Sequence, residues 1–235
     1  MQYSKIIDLS HALFVGKENR KLEKSAVLVD MRGPKSTTST IPIDGLANIP
    51  IPEGQYFLMH ELEINNHAGT HIELPSHCLK DGADLAHTPL ELLVGEAVFL
   101  NLDDGDTSTE VGADRIKKAA EGAGGIRAGD ICFCQFGWDK YFRTDKYMIS
   151  PYFALDAIEW LVAQKIKLFG ADIGLIERPG NPVHDNHLVL FKQNVSVIEN
   201  LAHLDQVDGN RAFVLVLPVN IDGLDSMPVR IVALQ

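Results

Sequence analysis

Residues 67–77 read His67-Ala-Gly-Thr-His71-Ile-Glu73-Leu-Pro-Ser-His77, which places three imidazoles and one carboxylate within eleven residues. The spacings are four, two and four, so all four side chains emerge on one face of an extended chain. A straight strand would spread them over roughly 33 Å, because each residue advances about 3.3 Å. The intervening Gly69 and Pro75 lie where the chain must bend. The stretch therefore predicts a kinked strand or loop around a divalent metal ion, Zn²⁺ or Mn²⁺, since both accept nitrogen and hard oxygen ligands.

Two other interpretations of this stretch are less favoured. A lone histidine would more often be a hydrogen-bonded structural residue, but four potential ligands in eleven residues reverse that expectation. His67 and His71 also have the i, i+4 spacing of the helical HExxH zinc proteases. Gly69 and Pro75 argue against a helix here. The one His-Glu pair, His60-Glu61, lacks the second histidine of that motif.

A second cluster of potential ligands follows more than a hundred residues later. His187 ends the run His184-Asp-Asn-His187, and Glu199 stands directly after the apolar run Val195–Ile198. A carboxylate in such surroundings needs a partner, because burial of an unpaired charge is costly. His187 and Glu199 are therefore the candidates that complete the metal site.

The first cluster resembles a known family signature. The segment HAGTHIELPSH is similar to the HxGTHxDxPxH motif of the cyclase family of metal-dependent hydrolases, which includes bacterial kynurenine formamidases and isatin hydrolases. The resemblance extends over nearly the whole chain, through four further segments: Ile7–Ser10, Asp81–Asp84, His187 to Glu199 with its Glu-Asn-Leu ending, and Ser226–Arg230. One position departs from the motif, because Glu73 stands where the family mostly has aspartate. The extra methylene would shift a bound ion or make the backbone retreat.

The resemblance implies a set of metal ligands drawn from both clusters: His67, His71, Glu73, His77, His187 and Glu199. In dinuclear relatives the carboxylate bridges two ions, and in mononuclear relatives the position of His77 is freed for acid–base work. One or two ions per subunit are therefore expected, Zn²⁺ or Mn²⁺, with His77 and Glu199 as the catalytic candidates.

The resemblance also implies a reaction. The expected activity is attack of metal-bound hydroxide on an amide carbonyl, in an arylformamide such as N-formylkynurenine or a cyclic amide such as isatin. Three alternatives stay open: lactone hydrolysis or cyclisation, a metal-binding homologue whose chemistry lapsed with Glu73, and a scaffold with a purely structural ion. Structural zinc sites usually show cysteine-rich patterns, which this sequence lacks.

Composition limits the partners. The net charge of −11 over 235 residues disfavours nucleic acid and anionic membranes, which need basic faces. No apolar run approaches the ~20 residues of a membrane span, and the start has no apolar signal core. The three cysteines lack paired spacing and suggest reduced thiols. These features predict a cytoplasmic protein that binds neither nucleic acid nor membranes, and the resemblance implies a small-molecule substrate.

The whole chain, residues 1–235, is expected to be one α/β domain with mixed β-sheets and helices. The resemblance implies a swivelling β/β/α barrel-like fold that assembles as a homodimer or homotetramer. Strands are predicted at 3–9, 58–64, 96–102, 131–136, 167–171, 212–217 and 229–234. Helices are predicted at 113–121 and, after a Ser150-Pro151 cap, to about residue 164. Residues 16–54 are expected to be an irregular segment that covers the site or contacts a partner subunit.

Several other side chains have two interpretations each. Four aromatic residues could stack on an aryl substrate or pack in the core: Phe136, Trp138, Tyr141 and Phe142. Asp172 and Arg178 could line the pocket, and Arg178 could bind a substrate carboxylate or form a surface ion pair. His184 could orient a ligand. Cys78 is interpreted as structural.

Overall fold

The structure is a computed structural model that describes residues 3–13, 35–39 and 59–235 except 106 and 108, with side chains left out for 35–39 and 59–61. Its strands are β1 (Ile6–Asp8), β2 (Lys35–Ser39), β3 (Met59–Glu63), β4 (His71–Glu73), β5 (Val94–Asn101), β6 (Glu110–Val111), β7 (Ile131–Gln135), β8 (Tyr152–Phe153), β9 (Leu168–Ala171), β10 (Ser196–Glu199), β11 (Arg211–Val216), β12 (Ser226–Pro228) and β13 (Ile231–Leu234). Its α-helices are α1 (Leu90–Leu93), α2 (Ala113–Gly122), α3 (Leu155–Ala163) and α4 (Asp185–Phe191).

Nine of these strands form one mixed sheet in the order β1-β13-β11-β5-β7-β9-β10-β4-β12. The central neighbours β5, β7, β9 and β10 are parallel, and the outer pairs are antiparallel. Central parallel strands are covered on both faces, which explains their continuous apolar sequences. The sheet curls into a half-barrel, and the predicted mixed α/β class is confirmed.

The core lies on both faces of this sheet. Strand β7 shows the division, because Cys132 and Cys134 pack on the side of helices α2, α3 and α4. Ile131 and Phe133 pack on the opposite side, among the residues of the outer antiparallel strands. The two cysteines therefore share one face of a buried strand, as predicted.

Most predicted elements occur near their predicted positions, but the cap at Ser150-Pro151 is wrong. Tyr152 and Phe153 form the short strand β8, which pairs with β6, and the Phe153 N–H donates to the carbonyl of Ile176. Helix α3 begins only at Leu155, where its apolar stripe begins. Strand pairing therefore outweighs the local capping preference of Ser-Pro.

The segment 16–54 is only partly described. Strand β2 lies inside it and pairs antiparallel with β3, so the expectation of a wholly irregular segment is wrong at 35–39. The rest of this segment lies outside the described residues. Among the helices that the structure describes, none has the length and apolar character needed to cross a membrane.

Candidate metal centre

Strand register places three candidate ligands on one face of the sheet. His71 and Glu73 are two residues apart on β4, so their side chains emerge on the same side. Strand β10 pairs antiparallel with β4 and sets Glu199 directly opposite His71. Opposed residues of an antiparallel pair share a face. Val197, opposite Glu73, packs in the helix-covered core, so this face is the one beneath the helices.

A turn at Gly69 brings the His67 side chain to the same face of the sheet as His71 and Glu73. Gly69 has a φ of +63°, and a Cβ there would lie 2.6 Å from Leu13 Cδ2, so the position favours glycine. The turn lets the His67 ring approach Glu73, with Nε2 3.2 Å from Oε1. On the other side of β4, Pro75 begins a 3₁₀ turn over Pro75–His77. The chain thus bends at the glycine and the proline, as predicted.

Helix α4 supplies the fourth candidate from the distant cluster. The helix packs on β10 and carries His187, whose side chain is buried. His187 Nε2 lies 3.0 Å from Glu73 Oε2. The structure therefore brings together residues separated by more than a hundred positions.

Glu73 is the centre of this arrangement. The nearest nitrogens are Nε2 of His67, His71 and His187, at 3.2, 3.3 and 3.0 Å from its carboxylate. Glu199 is 3.8 Å from the same atom of His71 and of His187. Ligands of a tetrahedral Zn²⁺ at 2.0–2.1 Å are about 3.3 Å from one another. These separations therefore match ligands around a shared cation.

Two buried polar atoms are further evidence for a bound cation. Within the described residues, His67 Nε2 and Glu73 Oε2 have no aligned hydrogen-bond partner, although imidazole nitrogens lie close to the carboxylate. Unsatisfied buried polar atoms are costly, and an ion between them would remove the cost. Two donor groups share this carboxylate: His67, His71 and Glu73 in one, and Glu73, His187 and Glu199 in the other.

The carboxylates and His187 have strongly shifted pKa values. Burial would raise the pKa of Glu73, but the imidazoles around it, first that of His187, hold the pKa well below its usual value. Burial, reinforced by the charge of Glu73, raises the pKa of Glu199 well above its usual value. Burial disfavours a charged His187, yet Glu177 and Glu73 raise its pKa to about 10. Without metal, the site therefore retains a proton that a cation would displace.

Hydrogen bonds behind the ligands fix their orientation. The Gly69 carbonyl can only accept, so the Nδ1 of His71, 2.9 Å away, carries the hydrogen and Nε2 is left for a metal. Asn200 Nδ2 donates to the same carbonyl at 2.9 Å. On α4, Nδ1 of His187 lies 2.9 Å from Glu177 Oε1. Glu177 was not predicted from the sequence, where its signal is a carboxylate directly after the apolar run that ends at Ile176, and Asn200 was predicted only as part of the Glu-Asn-Leu motif.

His77 lies next to the centre but outside the donor groups that contain Glu73. Its ring centroid is 4.9 Å from that of His67, and its possible donor group consists of His67, His77 and Asp225. Its Nδ1 is 2.6 Å from Asp225 Oδ2. Asp225, which is 148 residues from His77 along the chain, was not predicted from the sequence.

A family model described as "Putative cyclase" matches residues 7–178, which is most of the chain. The chain belongs to the cyclase family. Among curated relatives, it is 28% identical to the kynurenine formamidase of Maricaulis maris over 172 residues, covering 73% of this chain and 78% of that protein. It is 26% identical to the isatin hydrolase of Roseibium aggregatum over 235 residues, covering 86% of this chain and 88% of that protein.

Solved structures agree with this membership. A predicted metal-dependent hydrolase from Bacillus stearothermophilus aligns with a TM-score of 0.73 and 25% identity. The alignment covers 98% of each chain. The similarity therefore extends over the whole cyclase-family fold, including both segments that carry the donor groups.

The remaining candidate residues of this cyclase-family chain mostly have structural positions. Phe136 and Trp138 are buried in the core, and both donate backbone N–H groups to the buried Asp172. Asp172 is therefore a structural acceptor and not a pocket residue. Tyr141 and Phe142 are partly buried and pack against the same core.

Arg178 is exposed, so its side chain is not positioned against a buried substrate. His184 forms a possible donor group with Glu177 and His187. Glu177 contacts Nδ1 of His187, on the opposite side of the ring from the Nε2 that faces Glu73. Burial raises the pKa of the Cys78 thiol to about 11. Cys78 is therefore a poor nucleophile at neutral pH, in agreement with a structural role.

Proposed function

We propose that this protein is a metal-dependent hydrolase that cleaves the C–N bond of an arylformamide, such as N-formylkynurenine, or of a cyclic amide, such as isatin. The single observation that carries the proposal is the convergence of two donor groups on Glu73. Relatives named kynurenine formamidase and isatin hydrolase support the substrate class.

The donor set suits Zn²⁺ or Mn²⁺. His67, His71 and Glu73 would hold one ion, and Glu73, His187 and Glu199 would hold a second if two bind. In the first group, two neutral imidazoles and the single carboxylate of Glu73 would leave a bound divalent ion with net positive charge. When bound, such an ion acts as a Lewis acid that lowers the pKa of water towards ~7 and polarises a carbonyl.

The chain's own residues then supply orientation and proton transfer. Hydrogen bonds from Nδ1 of His71 and His187 keep both Nε2 atoms directed at Glu73. His77 is the acid–base group of the proposed reaction, because its ring adjoins the centre and its side chain is one-quarter exposed. It would accept a proton from the attacking water and return it to the departing nitrogen. Glu199, the second catalytic candidate, is buried 3.8 Å from the Nε2 atoms of His71 and His187, where it would be a ligand of the second ion.

We further propose that the enzyme works in the cytoplasm as a homodimer or homotetramer on a small-molecule substrate. The family resemblance of the signature segment supports the assembly. Light scattering coupled to gel filtration would measure the mass of the particle in solution. A monomer at working concentrations would contradict the proposed assembly without affecting the metal chemistry.

The test of the proposed function is metal-dependent turnover. Protein stripped with a chelator should be inactive and should regain activity with Zn²⁺ or Mn²⁺ on N-formylkynurenine, isatin or a simple lactone. A lactone-only activity would support the lactonase alternative, and metal binding without turnover would support a lapsed homologue. Full activity of the stripped protein would refute metal dependence.

Variants locate the activity in the proposed centre. His71→Ala and Glu73→Gln should each abolish both tight metal binding and turnover. His87→Ala is the matched control, because this histidine is 71% exposed and belongs, with Asp84 and Asp222, to a donor group that does not contain Glu73. Equal losses in all three variants would contradict the assignment of the site.

A further inference from the structure

We propose that Asp225 is a positioning residue that holds the His77 ring with its hydrogen on Nδ1 and leaves Nε2 free for proton transfer. The inference rests on the proposed hydrolase function for its catalytic consequence. The contact itself stands on geometry that does not depend on a bound ion.

The distance between the two side chains identifies a hydrogen bond. His77 Nδ1 and Asp225 Oδ2 are 2.6 Å apart. Two ligands of one tetrahedral Zn²⁺ would be about 3.3 Å apart, as the atoms around Glu73 are. A charge-assisted N–H···O bond is short, at roughly 2.7–2.9 Å. Asp225 therefore accepts a hydrogen bond from the imidazole Nδ1 and does not share a cation with it.

The sheet holds Asp225 at this position. Strand β12 pairs with β4 so that Ser226 lies opposite Glu73. One residue earlier, the carbonyl of Asp225 accepts the Leu74 N–H at 2.8 Å. The carboxylate also accepts from Asn66 Nδ2 at 3.0 Å through Oδ1, which leaves Oδ2 for the imidazole. Both oxygens are therefore engaged, and rigid elements set their positions.

His77 is fixed equally well on the other side of the contact. It ends the 3₁₀ turn that Pro75 begins, and its N–H donates to the Leu74 carbonyl at 2.8 Å. Its ring centroid lies 4.9 Å from that of His67 and 6.3 Å from that of His187. The same residue, Leu74, thus bonds to both partners of the contact through its backbone. The ring adjoins both donor groups, where a proton acceptor is needed.

The tautomer follows from these contacts. An ionised carboxylate can only accept hydrogen bonds, so Nδ1 of His77 must carry the hydrogen. The neutral ring then has its lone pair on Nε2. Asp225 is therefore expected to act through His77 and not on the substrate.

Nitrogen NMR of the metal-free protein tests the contact without any catalysis. Two-bond ¹H–¹⁵N spectra of histidines, recorded above neutral pH, should show His77 with Nδ1 protonated and Nε2 unprotonated. Asp225→Ala should move the hydrogen towards Nε2, and Asp225→Asn should retain it on Nδ1, because the amide oxygen still accepts. Asp222→Asn is the matched control, since it removes the same charge from a side chain that is 84% exposed. A wild-type His77 protonated on Nε2, or an unchanged spectrum in Asp225→Ala, would overturn the inference.

Turnover tests the catalytic consequence. Asp225→Ala should lower kcat by about 10- to 100-fold, the range for orienting partners, with the metal content unchanged. Asp225→Asn should restore part of that loss. In a His77→Ala background the Asp225→Ala change should add little, because the two residues act as one unit. Additive losses would contradict the inference, whereas an inactive wild-type protein with the expected NMR spectrum would contradict only the hydrolase function.

Discussion

Replacement of Asn200 by alanine should destabilise the protein by about 3–6 kcal/mol and loosen the metal site. Asn200 is fully buried and has a φ of +59°. The Tyr147 hydroxyl donates to its side-chain oxygen at 2.7 Å, and its side-chain nitrogen donates to the Gly69 carbonyl at 2.9 Å. Alanine would leave the buried hydroxyl unpaired, at about 1–3 kcal/mol, and would remove the second bond, at about 1 kcal/mol. The left-handed backbone adds about 1–2 kcal/mol for alanine.

Urea denaturation of the metal-free protein measures this loss. Asn200→Gly should be less damaging than Asn200→Ala by the left-handed term, because glycine adopts that backbone freely. Asn194→Ala is the matched control: it has a φ of +56° on an exposed residue, so only the backbone term should appear. Metal affinity should also fall for Asn200→Ala, since the Gly69 carbonyl that orients His71 loses a donor. A loss no larger than that of Asn194→Ala would refute the assigned role of the side chain.

Two further predictions concern proton competition and packing. Because His187 has its pKa raised to about 10 without metal, ion binding must displace its proton. The apparent affinity for Zn²⁺ should therefore rise at least about tenfold per pH unit between mildly acidic and neutral pH, and more steeply where Glu199, whose pKa is also raised, loses a proton as well. A pH-independent affinity, measured by competition with a chelating dye, would contradict this. Gly170→Ala should cost about 1–3 kcal/mol in urea denaturation, because the new Cβ would lie 2.9 Å from Ile198 Cβ and 3.0 Å from Phe133 Cδ1. Gly122→Ala, where a Cβ meets nothing, should not be destabilising, and equal costs at both positions would contradict the packing account.

The sequence predicted the centre where local spacing carried the information. The structure shows three backbone features that the sequence predicted. His71 and Glu73, two residues apart, point to the same side of β4, and the chain bends at Gly69. The carboxylate of Glu199 lies at the end of β10, which the apolar run forms. Such features depend on residues a few positions apart, so the pattern is visible in one dimension.

The residues that orient the ligands could not be predicted in this way. Asp225 reaches His77 because β12 pairs with β4, and Glu177 reaches His187 where Asn186 of α4 donates to the carbonyl of Ile176. No local spacing encodes such contacts. The cap expected at Ser150-Pro151 failed for a related reason, because pairing of Tyr152 and Phe153 with a remote strand outweighed the local preference.

The most direct test of the metal centre is anomalous X-ray diffraction from crystals grown with Zn²⁺ or Mn²⁺. A peak is expected about 2.0–2.2 Å from the Glu73 carboxylate and from at least two of the surrounding imidazole Nε2 atoms. The His77–Asp225 pair should carry no peak between its atoms. Crystals grown with saturating metal that show no anomalous peak at Glu73, or a peak only elsewhere, would contradict the convergence of the two donor groups on a shared cation.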